Sequence, residues 1–88
     1  MIDKEVTIEN KLGLHLRAAA LLVKEAEKFS SDITLVKDKM KINAKSILGI
    51  TTLMAKKGTK LKIVADGEDE AEAIESLEEL FKNKFYEE

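Results

Sequence analysis

Hydrophobic residues alternate with polar ones in several short stretches of this chain, which is the pattern of strands with one buried face. In the first stretch, Ile2, Val6 and Ile8 share one parity, and charged or polar residues occupy most of the other positions. The polar residues 37–39 separate two further stretches, which predicts a hairpin. The predicted strands span residues 2–8, 33–36, 40–43 and 60–65.

Two longer segments repeat hydrophobic residues every three or four positions, the spacing of an amphipathic helix. The first helix is predicted from about Leu16 to Lys28. The last helix starts at the acidic residues 68–70, where the helix dipole favours negative charge, and Glu78 and Lys82 are spaced on it for an ion pair. The residues expected to face the core are Ala19, Leu22, Val23 and Ala26 in the first helix, and Ile74, Leu77, Phe81 and Phe85 in the last.

A short helix between them, running to about Met54, completes the element order βαββαβα. Four strands with two long amphipathic helices predict an α+β fold: an open-faced sandwich with a four-stranded antiparallel sheet and helices packed on one face. The chain has 88 residues, without an internal repeat or linker. Residues 1–88 are therefore expected to form a single domain.

Composition narrows the classes of site. The chain has no cysteine and one histidine, so we expect no metal and no cofactor. Its net charge of −2 and the lack of exposed aromatic residues among the lysines argue against binding to nucleic acid. We see no signal peptide and no apolar run long enough to span a bilayer, which predicts a cytoplasmic protein without membrane insertion.

His15 and Arg17 are the only histidine and the only arginine, and they lie where the first helix is predicted to start. Histidine gains and loses charge near neutral pH, and arginine donates to oxyanions in a planar fork. No good N-cap residue precedes this helix, so its first amides are free to bind an anion. This combination suits phosphoryl chemistry, although an ordinary surface histidine would look similar in sequence.

A second candidate site is an apolar patch beside His15. Leu16 and Ala20 fall on the face of the first helix that should point away from the core. Ile47 and Leu48 could join them if the short helix packs nearby, although Ile47 could equally be a core side chain. Such a patch is typical of a protein-docking surface. Its expected rim consists of Lys24, Lys45 and Thr51.

Ser46 is the third candidate. It or Asn43 is expected to cap the short helix, which is a sufficient structural role for a serine. A phosphate on Ser46 would also lie at a helix N-terminus, where negative charge is favoured.

These segments resemble the two signatures of a known family. Residues 13–19, Gly-Leu-His-Leu-Arg-Ala-Ala, resemble the phosphohistidine signature of HPr, the histidine-containing phosphocarrier of the bacterial sugar phosphotransferase system. Residues 43–50, Asn-Ala-Lys-Ser-Ile-Leu-Gly-Ile, resemble that family's signature around a regulatory serine. The resemblance extends over nearly the whole chain, including its length and element order.

The resemblance implies a phosphocarrier with a transient phosphohistidine rather than an enzyme. His15 would be phosphorylated by enzyme I and would pass the phosphoryl group to the IIA domains of sugar permeases, with Arg17 contacting that group. Ser46 would match the serine modified by HPr kinase/phosphorylase, and a transcriptional regulator is a further candidate partner. The docking face would be Leu16, Ala20, Lys24, Ile47, Leu48 and Thr51, and we expect a monomer.

Several positions depart from the family pattern. Ala18 replaces a common proline, Leu16 a small residue, Leu12 a hydroxyl residue and Met54 a glycine. We expect these changes to affect partner choice more than the chemistry. Two alternatives remain: a regulatory HPr paralogue that acts through protein binding without sugar flux, and a small nucleic-acid-binding module.

Overall fold

The computed structural model describes residues 1–87, and its elements follow the predicted order. The strands are β1 (Ile2–Thr7), β2 (Asp32–Lys37), β3 (Met40–Asn43) and β4 (Lys60–Asp66). The helices are α1 (Leu16–Ala26), α2 (Ile47–Thr52) and α3 (Glu70–Lys82), and a single 3₁₀ turn (Lys84–Tyr86) follows them.

The four strands form one sheet in the order β1-β4-β2-β3, and every neighbouring pair is antiparallel. The register places Leu35 opposite Ile63 of β4 and opposite Ile42 of β3. Val6 pairs with Leu61 in the same way. Because side chains on paired positions share a face, the hydrophobic residues of the four strands form one continuous apolar surface. The predicted open-faced α+β sandwich is confirmed.

The helices cover this apolar surface, and most of the buried helical side chains belong to α1 and α3. All four predicted core residues of α1 and all four predicted for the last helix are buried. Phe85 lies beyond the end of α3, in the 3₁₀ turn, and its ring meets that of Phe81 edge-on at 4.9 Å. Among the described residues, no helix has the length and apolar character that crossing a membrane requires.

The helix ends differ from the predicted boundaries for local reasons. α1 ends at Ala26 rather than Lys28, because the amides of Lys28 and Phe29 turn to the carbonyls three residues earlier. α2 ends at Thr52, and Met54 then takes a left-handed conformation with φ +50°.

The start of α3 also moves, from residue 68 to Glu70. Asp69 precedes the helix but does not cap it. Its carboxylate instead accepts hydrogen bonds from the amides of Ser30 and Ser31 and from the Ser31 hydroxyl, which ties the segment between α1 and β2 to the start of α3.

The predicted ion pair between Glu78 and Lys82 is wrong for the described residues. Glu78 reaches across to Lys4 of β1 instead, with 3.7 Å between Nζ and Oε2. This pair joins α3 to the edge of the sheet, a tertiary contact that helical spacing does not reveal.

Candidate functional site

The loop before α1 is built around Asn10 and Gly13. The Gly13 amide donates to the Asn10 carbonyl, and Asn10 Nδ2 donates back to the Gly13 carbonyl at 2.7 Å. Gly13 has φ +70°, and a Cβ there would lie 2.5 Å from the Ala55 carbonyl oxygen. The next residue, Leu14, is buried and donates its amide to that same carbonyl. Only glycine fits this close approach of two loops, which sets where His15 emerges.

His15 is the N-cap residue of α1, with extended backbone angles of φ −72° and ψ 176°. Its carbonyl accepts the first helical hydrogen bond, from Ala19, but within residues 1–87 no side chain caps the helix. The predicted uncapped start is confirmed. Since the first amides of a helix carry partial positive charge and unused donors, this end of α1 favours an anion.

The imidazole of His15 is held by a carboxylate from the other end of the chain. Its Nε2 lies 2.9 Å from Oε2 of Glu87. The same carboxylate accepts Asn10 Nδ2 at 2.9 Å and the Leu12 amide at 3.1 Å. These donors, with Asn10 the strongest, hold the pKa of Glu87 below its ordinary value of 4.5. Glu87 is therefore ionised at neutral pH.

This contact distinguishes the two ring nitrogens. An ionised carboxylate only accepts hydrogen bonds, so Nε2 beside it carries the hydrogen. In a neutral imidazole the lone pair then lies on Nδ1. Within residues 1–87, Nδ1 makes no hydrogen bond, and the His15 side chain is 28% exposed. Nδ1 thus remains open to a partner.

Arg17 lies in the first turn of α1 and is exposed. It lines the same shallow pocket as His15, together with Leu12, Phe85, Tyr86 and Glu87. Within the described part of the chain, its guanidinium pairs with no carboxylate. The structure therefore places the predicted pair around one pocket, with a cation available for an oxyanion.

The predicted patch is exposed on one side of the molecule, since α1 packs against α2. Leu16 and Leu48 are 67% and 78% exposed, and Ile47 is partly exposed rather than a core residue. Ala20 and Lys24 are exposed, whereas Thr51 is half-buried and donates its hydroxyl to the Leu48 carbonyl. Lys45 was expected at the rim, but its ammonium is tied to the Phe29 carbonyl at 2.8 Å.

Ser46 has the capping role expected of it. Its hydroxyl accepts the Gly49 amide at 3.0 Å, and the side chain is only half-buried. Asn43, the other candidate cap, instead accepts the amide of Lys45.

Sequence reasoning missed two residues of this site, Asn10 and Glu87. Asn10 is 1% exposed, and its Oδ1 has no partner among the described residues. An asparagine three residues before a turn glycine is a recognisable local signal. Glu87 carries no such signal, because its role depends on how the chain end folds back.

No group of three or more acidic, histidine or cysteine side chains suited to a metal ion occurs within residues 1–87. Acidic residues do line a groove between α1 and α3, among them Glu25, Glu72 and Glu79. One of them, Glu25, is engaged by the Ser76 hydroxyl and by Lys28.

A family model described as the PTS HPr component phosphorylation site matches residues 2–83. The phosphocarrier protein HPr of Xylella fastidiosa (strain Temecula1) is 48% identical over 87 residues, covering 99% of this chain and 98% of the relative. The HPr-like protein Crh of Bacillus subtilis is 48% identical over 77 residues, covering 88% and 91%. The crystal structure of HPr-C-His from Thermoanaerobacter tengcongensis has a TM-score of 0.96 at 50% identity, covering 100% of this chain and 99% of that one.

Proposed function

Because this chain belongs to the HPr family of phosphocarrier proteins, we propose that it accepts a phosphoryl group on Nδ1 of His15 from phospho-enzyme I. It then passes the group to the IIA domains of sugar permeases. One observation carries the proposal: the imidazole is fixed at an uncapped helix start with Nε2 occupied and Nδ1 open.

The transfer needs only the residues around this pocket. The Nδ1 lone pair forms the new bond to phosphorus, while the bond between phosphorus and the donor breaks. In the second step an acceptor atom of the IIA domain bonds to phosphorus while the phosphorus–Nδ1 bond breaks, and the electron pair of that bond returns to the ring. Arg17 and the amides at the start of α1 hold the phosphoryl oxygens as charge develops. Ala18 contributes one more amide than a proline could offer at that position.

Phosphorus NMR tests this assignment. With phosphoenolpyruvate, magnesium and a cognate enzyme I, the protein should give an acid-labile phosphohistidine signal. His15→Ala should abolish it, and Arg17→Ala should slow its appearance more than Arg17→Lys, which retains the positive charge. Labelling that persists in His15→Ala would show that another residue accepts the phosphoryl group.

The docking surface for both partners is the face made by Leu16, Ala20, Lys24, Ile47, Leu48 and Thr51. Leu16 follows His15 directly in the chain and is exposed, and Leu48 is exposed on α2, which packs against α1, so a partner that docks on this face can also reach His15. Leu48→Glu should keep the fold, since residue 48 lies in the first turn of α2 where acid is favourable. It should slow labelling by enzyme I about tenfold or more, as expected when a central apolar contact is lost.

A matched control for this change is Met40→Glu. Met40 is also an exposed hydrophobic residue, but it begins β3 outside the proposed docking face. Labelling should stay near the wild-type rate in this variant. Equal rates in the two variants would remove Leu48 from the docking surface.

We further propose that Ser46 accepts a phosphate from ATP through HPr kinase/phosphorylase, which would place a dianion at the start of α2. Ser46→Ala also removes a helix cap, at a cost of about 0.5–2 kcal/mol. Ser46→Asn keeps a capping side chain without a hydroxyl and is the better test. Kinase-dependent labelling that survives in Ser46→Asn would assign the phosphate to another residue.

The second candidate is a regulatory paralogue that acts by binding proteins such as a transcriptional regulator. The 48% identity to the HPr-like protein Crh supports this second candidate. Labelling of His15 followed by transfer to a IIA domain supports the carrier. A protein that enzyme I does not label, but that the kinase modifies on Ser46, would be the regulatory form.

A further inference from the structure

The imidazole of His15 is oriented by a carboxylate from the end of the chain, and we infer that Glu87 is a positioning residue for the phosphoryl transfer. This inference rests on the proposed function, because it concerns the same histidine. Glu87 lies after the segment that the family model matches, residues 2–83.

Three donors fix the Glu87 carboxylate rather than one. Oε1 accepts the Leu12 amide, and Oε2 accepts both Asn10 Nδ2 and His15 Nε2. Asn10 is itself immobilised, because it is buried and donates to the Gly13 carbonyl. A carboxylate held this way presents its oxygen to the ring in one direction, so rotation of the imidazole is restricted.

The backbone that delivers Glu87 is strained. Lys84, Phe85 and Tyr86 have φ values of 53°, 53° and 58°, all in the left-handed region. This conformation costs roughly 1–2 kcal/mol for each non-glycine residue. Such a segment persists only where its surroundings hold it on both sides. Here the buried ring of Phe85 holds one side, and the Glu87 carboxylate holds the other.

The chemical consequence is that no proton has to move during transfer. In the neutral imidazole, Glu87 keeps the hydrogen on Nε2 and the lone pair on Nδ1. When Nδ1 bonds to phosphorus, the ring becomes cationic, and the adjacent carboxylate offsets that charge. When the bond to phosphorus breaks, the pair returns to Nδ1 while Nε2 keeps its hydrogen. A buried carboxylate serves the histidine of serine proteases in a similar way.

The first test is nitrogen NMR of His15, which requires no partner protein. At about pH 8.5, above the usual range for histidine titration, the wild-type ring should show the tautomer with hydrogen on Nε2. Glu87→Ala should give a mixture of both tautomers. Glu87→Gln should retain the wild-type tautomer, because its amide oxygen can still accept from Nε2. Glu75→Ala removes an exposed carboxylate from α3 and is the matched control.

The second test is the rate of labelling by enzyme I in the same variants. Glu87→Ala should be labelled about tenfold more slowly, the lower end of the effect known for groups that orient a metal-bound histidine, and the rate of Glu87→Gln should fall between those of Glu87→Ala and wild type. Wild-type tautomer and rate in Glu87→Ala would overturn this inference alone. A wild-type protein that enzyme I does not label would overturn the proposed function, and with it the transfer role of Glu87.

Discussion

Nε2 of His15 and Oε2 of Glu87 lie 2.9 Å apart although 72 positions separate the two residues in the chain. The contact joins the loop before α1 to the segment after α3. It also divides the imidazole into a bound nitrogen and an open one. One carboxylate therefore both holds the loop before α1 and orients the imidazole.

Asn10 is the residue on which this link depends most. Asn10→Ala removes the donor to Gly13 and Glu87 at a site that is 1% exposed. We expect the free energy of unfolding to fall by about 1–3 kcal/mol, since the buried Gly13 carbonyl loses its side-chain partner. Urea denaturation monitored by circular dichroism measures the change.

Asn43→Ala is a suitable control for that change. Asn43 accepts one exposed amide, that of Lys45, so its loss should cost less. A stability of Asn10→Ala equal to wild type would mean that the buried amide contributes nothing to the loop.

The close approach at Gly13 predicts that no other residue fits there. Gly13→Ala places a Cβ 2.5 Å from the Ala55 carbonyl oxygen in a left-handed backbone. Gly58→Ala is left-handed too, with φ +91°, but meets nothing within 4 Å. The free energy of unfolding of Gly58→Ala should fall by only about 1–2 kcal/mol, the cost of a left-handed backbone for alanine. That of Gly13→Ala should fall by more, because the clash adds to this cost.

The difference between these two variants measures the clash between the loops. Thermal unfolding of both proteins under one set of conditions gives it directly. Equal losses would contradict the close contact of residues 13 and 55.

We expect one substitution, at Met54, to stabilise the protein. Met54 has φ +50° and is 74% exposed, so it pays for a left-handed conformation without burying its side chain. Met54→Gly should gain about 0.5–1 kcal/mol, the steric relief less the entropy of a glycine. Lys56→Gly, in the same loop but without a positive φ, should lose stability instead. A lower free energy of unfolding in both variants would show that the left-handed backbone at Met54 carries no strain.

We expect the free energy of unfolding to fall in acid because of Asp69. The Ser31 hydroxyl, followed by the amides of Ser30 and Ser31, lowers the pKa of Asp69 from its ordinary value of 3.8. Because the folded pKa is depressed, its stabilising contribution is complete above pH 3.8 and is lost as the pH falls through the folded pKa.

Urea unfolding across this acidic range tests the assignment. Asp69→Asn should be less stable than wild type at neutral pH. The difference between their free energies of unfolding should become smaller as the pH falls. Asp3→Asn changes an exposed residue of β1 and is the matched control. A constant difference for Asp69→Asn would mean that its carboxylate does not hold the loop.

Local patterns in the sequence predicted most of the fold. The period-two strands, the stripe through Leu22 and Val23 and the uncapped start at His15 all depend on neighbours within a few positions. Burial follows from such periodicity, because a strand or helix presents the same face to the core at each repeat. The helix ends at Ala26 and Thr52 were predicted less accurately, because backbone amides there turn to carbonyls three residues earlier, which hydrophobic spacing does not reveal.

The chain by itself thus determined the architecture, the position of His15 and Arg17 at a helix start, and Asn43 and Ser46 as the two candidate caps of the short helix. Only the tertiary structure decided that Glu87 and Asn10 belong to the site and that Nδ1 is the open nitrogen. The physical reason is that these hydrogen bonds join segments far apart in sequence. No local periodicity records them, and they exist only once the core has brought both ends of the chain together.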